Sequence, residues 1–111
     1  MSAEEVVKQM VVYLSGPISL GGSSPPEERE MFTRRFKAQA ERLRAKGYAV
    51  IDPTECPPQD SWEDYMRHGM VAVADADMIA VLPRWEESRG ARLEVFVARE
   101  LRIPVHEAAI L

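Results

Sequence analysis

The sequence has 111 residues, 46% of them hydrophobic and 29% charged, which suits one globular domain (residues 1–111) with its own core and excludes a disordered chain. Its 14 basic and 18 acidic side chains leave a net charge of −4, the wrong sign for a general nucleic-acid binder. The lone Cys56 excludes an internal disulfide and a paired-cysteine metal site, and no apolar run approaches the ~20 residues of a membrane span.

In chain order, the acidic Glu4-Glu5 start lacks the basic region of a secretory signal, so the expected location is cytoplasmic. Residues 10–14 are continuously apolar and rich in β-branched side chains, as in a strand covered on both faces. Ser15-Gly16-Pro17 ends that strand and opens a loop running through Gly21-Gly22 to Ser24. A helix is predicted over 26–46, with Pro25-Pro26 and Glu27, Glu28 and Glu30 at its start. Phe32, Phe36, Ala40 and Leu43 form its apolar stripe, and Gly47 is a left-handed stop. Arg34, Arg35, Lys37, Arg42, Arg44 and Lys46 read as its solvated face.

Residues 48–51 are the second strand, followed by a proline-rich loop over 53–60. Ser61 caps a second helix whose stripe is Trp62, Met66, Met70 and Val73. The third strand is 78–82, with Asp75 and Asp77 before it as backbone hydrogen-bond partners. The third helix covers 89–101, with Leu93, Val97 and Leu101 as its buried face, and residues 103–105 are a last strand whose Pro104 marks an edge or a strand start. The β-α-β-α-β-α-β order predicts an α/β fold: a small doubly wound, flavodoxin/Rossmann-like three-layer sandwich with a parallel sheet of four to five strands.

Ligands of such sheets bind beyond the carboxyl ends of the strands, where residues 15–24, 52–61 and 83–88 meet. Gly16 and Gly21-Gly22 serve there as turn formers or as an approach to bare N–H groups, and neither GxxxxGK[ST] nor GxGxxG is present. Ser88 can cap the third helix or face an anion. Glu94 lies one turn beyond Gly90, whose missing side chain leaves room for a ring, so its carboxylate is either a nucleophile toward a sugar carbon or a surface partner of an arginine. Trp62 and Trp85 stack on a base or pack over the sheet end. His68 and His106 are too few and too far apart for a metal site, and Cys56 has no basic neighbour to make it a thiolate.

Four segments taken together resemble the nucleoside 2-deoxyribosyltransferase-like superfamily, in a branch of short proteins labelled only as a domain of unknown function. They are Tyr13-Leu14-Ser15-Gly16-Pro17-Ile18, Trp62-Glu63-Asp64-Tyr65-Met66-Arg67, Ala76-Asp77-Met78-Ile79 and the run from Trp85 to Glu94. The resemblance implies cleavage or transfer of the N-glycosidic bond of 2′-deoxynucleosides or their 5′-monophosphates. It implies Glu94 as the catalytic nucleophile, Tyr13, Gly16, Pro17 and Ile18 beside the nucleoside, and Ser88 and Gly90 near the sugar or its 5′ group. It also implies no cofactor and no metal, a small-molecule nucleoside or nucleotide as partner, and a homodimer or higher homo-oligomer, with the Met-rich second helix as a contact. One departure stands out: relatives carry an aspartate eight residues before the position of Asp77, and here that position is Gly69. Asp64, His68 and Trp85 are the further candidates nearby. The departure keeps two other readings open: a non-catalytic nucleotide-binding module, and an N-glycosidase acting on a ribonucleotide or a nicotinamide dinucleotide.

Overall fold

A computed structural model describes residues 9–20 and 24–111, so Glu4-Glu5 and the Gly21-Gly22-Ser23 part of the first loop lie outside the described residues. The elements follow the expected alternation: β1 (Val11–Ser15), α1 (Pro26–Ala45), β2 (Ala49–Ile51), α2 (Trp62–Asp75), β3 (Met78–Val81), α3 (Arg89–Glu100) and β4 (Val105–Glu107). All strand pairings are parallel, in the order β2-β1-β3-β4. The fold is the doubly wound α/β sandwich, with a sheet of four strands among the described residues.

Period-two alternation along the strands sorts the core into two layers. Val12, Leu14, Met78, Ala80 and Leu82 face α1 and meet Phe36, Ala40 and Leu43. Tyr13, Ile79 and Val81 face the other way and meet Val73 of α2 and Val95 and Ala98 of α3. The predicted α1 stripe is buried at all four positions. That helix ends as expected at Gly47, at φ +102°, where Gly47 and Tyr48 N–H groups reach back to the Arg44 and Leu43 carbonyls.

Several details differ from the sequence reading. The basic face of α1 does more than solvate: Arg44 donates to the Val50 carbonyl (2.9 Å) and Glu55 (3.0 Å), Arg42 to the Ala108 carbonyl (2.5 Å), and Lys46 to the Leu111 carbonyl. On α2 only Gly69 and Val73 are fully buried; Met66 and Met70 are half-buried and Trp62 is exposed. The buried face of α3 is Ala91, Glu94, Val95 and Ala98, whereas Leu93 and Leu101 are exposed. Small alanines let α3 approach the sheet, and a polar tether described below fixes its rotation, which apolar spacing alone does not register. β4 starts two residues later than expected, after Pro104, whose carbonyl accepts from the Ile79 N–H (2.9 Å). It is an edge strand, as its proline suggested. Asp77 accepts from the Val11 N–H (2.8 Å), tying the start of β1 to β3, while Asp75 is exposed.

The strand order sets where a ligand belongs. The chain leaves β1 toward β2 and leaves β3 toward β4, so the connections diverge from the carboxyl ends of two adjacent strands, the switch point where ligands of such sheets occupy a crevice.

Candidate active site

At that crevice β1 ends and α3 begins. Tyr13 and Ser15 are two residues apart on one strand, so both side chains point to the α2/α3 face. The Tyr13 hydroxyl donates to Oε2 of Glu94 (2.5 Å) and the Ser15 hydroxyl donates to Oε1 (2.7 Å). All three groups are buried, and Glu94 is 7% exposed. Each carboxylate oxygen therefore carries one hydroxyl donor, and α3 is tethered to β1 through its only buried charged residue.

The electrostatics follow from that seat. Burial pushes the Glu94 carboxyl above its ordinary 4.5, against the two hydroxyl donors, which favour the anion and pull it back down. Burial also drives the Tyr13 phenol far above the usual phenol range, and the charge of Glu94 and the hydrogen bond to it push in the same direction. Tyr13 thus keeps its proton and holds it toward Glu94. Hydrogen bonds to a charged group contribute about 1.5–3 kcal/mol each, enough for two of them to offset much of the several kcal/mol that burying one carboxylate costs.

Two glycines shape the surroundings. A Cβ at Gly69 would lie 2.9 Å from Oε2 of Glu94 and 3.2 Å from the Tyr13 hydroxyl, so the α2 backbone closes directly over the carboxylate. Residue 69, where the resemblance implies an aspartate, is therefore closed against Glu94 by the approach of the helix. At Gly90 a Cβ would meet the Met66 sulfur at 3.1 Å. The room that the sequence left for a ring over Gly90 is occupied by the Met66 thioether.

The remaining candidates divide into two groups. Gly16 and Pro17 are buried at the end of β1, with Gly16 packed against Leu82, and Ile18 is exposed beside them. Ser88 caps α3, its hydroxyl accepting from the Ala91 N–H (3.2 Å). These line the same end of the sheet as Glu94. The others are directed elsewhere. Asp64 pairs with Arg67 (2.8 Å) at the surface. His68 is exposed and borders a concavity of about 460 Å³ with Ile51, Arg67 and Asp75. Trp85 packs on the core layer under α3, with the Arg99 guanidinium 5.9 Å from its ring, while Trp62 carries the Arg89 guanidinium at 4.0 Å. A smaller concavity of about 180 Å³ lies between α1 and the turn after β2, and Glu94 borders neither. Ser15 was missing from the residues singled out in the sequence. The signal that could have found it is its two-residue spacing from Tyr13, which puts both hydroxyls on one face.

Similar solved structures include two that share the fold. One is the 2-deoxyribosyltransferase of the psychrotolerant bacterium Bacillus psychrosaccharolyticus, with TM-score 0.59, 19% identity, and 86% of this chain aligned to 69% of that one. The other is the solution structure of BlsM, with TM-score 0.62, 20% identity, and 86% of this chain aligned to 62% of that one. At such identities the likeness is one of fold, and this chain spans less than two thirds of BlsM. No match is found among curated proteins. Residues 10–107 match the family described as a domain of unknown function, DUF4406, and with nearly every element of the sandwich inside that span the chain belongs to this family.

Proposed function

We propose that the protein cleaves or exchanges the N-glycosidic bond of 2′-deoxynucleosides or their 5′-monophosphates, with Glu94 as the nucleophile. The observation that carries this reading is a buried carboxylate, gripped on each oxygen by a strand hydroxyl, near the switch point of the strand order, where ligands of doubly wound sheets bind. The fold shared with a 2-deoxyribosyltransferase supports it.

In this mechanism a Glu94 oxygen attacks C1′ through an oxocarbenium-like transition state, and the C1′–N electron pair departs with the base. The resulting sugar ester is resolved by water, giving hydrolysis, or by a second base, giving transfer. Lack of a 2′-hydroxyl eases positive charge at C1′, which favours deoxy substrates. Tyr13 and Ser15 hold the carboxylate and favour its anionic form against the effect of burial. Gly16, Pro17 and Ile18 flank the nucleoside, and Ser88 and Gly90 lie toward the sugar. The Met66 thioether over Gly90 is a flexible side chain able to yield as the substrate enters.

The test is free-base release from a panel of deoxynucleosides and their monophosphates, with Glu94→Ala alongside. The reading expects release by the wild type that Glu94→Ala abolishes, and absence of release from every member defeats it. Gly69, closed over Glu94, favours a second reading, a non-catalytic nucleotide-binding module. Calorimetric binding of a nucleotide without turnover would select that one.

A further inference from the structure

Departure of a neutral nucleobase leaves an anion on the ring nitrogen unless a proton arrives, and a positioned acid contributes roughly 10²–10⁴-fold to such a step. Among the described residues, the groups around Glu94 do not offer one. The Tyr13 hydroxyl already points its proton at Oε2 of Glu94, and burial beside that anion makes the phenol a far weaker acid than an ordinary tyrosine. Ser15 is an alcohol donating to Oε1. Residue 69, set directly against the carboxylate, is a glycine. Asp64 is held by Arg67 at the surface, His68 borders a concavity that Glu94 does not, and the Cys56 thiol is turned to the Pro57 carbonyl (3.5 Å). What the crevice offers among the described residues is a nucleophilic carboxylate with two hydroxyl clamps.

We infer that the substrates this site handles best are N-glycosides whose base already carries a positive charge on its ring, as in an N-substituted pyridinium or an N7-alkylated purine. The inference rests on the reading of Glu94 as the nucleophile. With such a substrate a Glu94 oxygen forms the bond to C1′ while the C1′–N bond breaks. The electron pair moves onto the ring nitrogen, cancels its charge, and a neutral base leaves with no proton transfer. Water then attacks C1′ of the ester, the Glu94 carboxylate departs, and the surplus proton passes to solvent. The same lone anion attracts a cationic glycoside and stabilises its developing sugar charge in a site of low dielectric.

The experiment uses the wild-type protein and matched substrates: 7-methylguanosine against guanosine and 2′-deoxyguanosine, with nicotinamide mononucleotide as the pyridinium member. Base release is followed by chromatography, and each rate is divided by its own uncatalysed rate, because charged bases depart faster unaided. The expected result is an acceleration larger by roughly 10²–10⁴-fold for the charged members, the size of the missing acid's contribution, and lost in Glu94→Gln. Neutral 2′-deoxyguanosine accelerated as strongly as the charged members would overturn this inference and leave Glu94-dependent cleavage standing. Release that persists in Glu94→Gln would overturn both, and no release from the charged members would overturn this inference.

Discussion

Burial lifts the Glu94 carboxyl above its ordinary 4.5 while the Tyr13 and Ser15 hydroxyls draw it back, so its ionisation is decided by three residues from two elements. A Glu94 that acts as the proposed nucleophile must be anionic. Activity is therefore lost as pH falls through the raised value, and the acid limb of kcat/KM lies above 4.5. Ser15→Ala removes one of the bonds that favour the anion; the limb moves to still higher pH, and kcat/KM falls by roughly 10–100-fold, the worth of one hydrogen bond to a charged group. An unmoved limb would deny Ser15 its positioning role. Stability has the opposite sense. Because the folded value exceeds the unfolded one, the contribution of Glu94 is fully present below about 4.5 and is lost as pH rises through the folded value. Glu94→Gln, neutral throughout, is expected to melt higher than the wild type at pH 7, with the gap closing toward pH 4 in a calorimetric series. At this scale Glu94 and Tyr13 were legible through resemblance, but their contact was not. Eighty-one positions separate them in sequence, and only the β1 to β3 crossover brings α3 over β1.

α2 and α3 show what element-level reading captures and what it loses. Their caps were legible, since Ser61 and Ser88 each accept from an N–H three residues on. Their rotations were not. Leu93, Val97 and Leu101 satisfy helical spacing as well as Ala91, Val95 and Ala98 do, and the choice falls to Glu94, which a hydrophobicity pattern assigns to the outside. The close seat of α2 depends on Gly69. Gly69→Ala gains up to about 1 kcal/mol of helix propensity but places a methyl 2.9 Å from a carboxylate pinned by two hydrogen bonds. Net destabilisation of about 1–2 kcal/mol is expected in urea unfolding, in line with overpacked cores. Unchanged or increased stability would show that α2 rides further from Glu94.

For the whole molecule, class and topology were the most legible features, because apolar strand segments alternating with helices admit few arrangements other than a parallel sheet covered on both sides. The expected self-association is less direct. Met66 and Met70 of α2, first read as a contact surface, are half-buried within the fold. Exposed apolar side chains lie on both helices: Val71 is 65% and Tyr65 42% exposed on α2, and Phe96 is 61% exposed on α3 with Leu93 and Leu101 also open. A homodimer that uses the α3 face would depend on Phe96. Phe96→Asp should then shift the light-scattering mass from dimer to monomer while altering monomer stability by no more than about 0.5 kcal/mol, as exposed substitutions do. A wild-type monomer at high concentration would remove this expectation.

The most direct test of Glu94 as nucleophile is mass spectrometry of the protein after incubation with 2′-deoxy-2′-fluoro nucleosides and their 5′-monophosphates, whose fluorine slows both steps and lets a sugar ester accumulate. The account predicts a fluorosugar adduct on the peptide containing Glu94, formed with release of free base and absent from Glu94→Gln. An adduct on another residue, or base release with no dependence on Glu94, would contradict it.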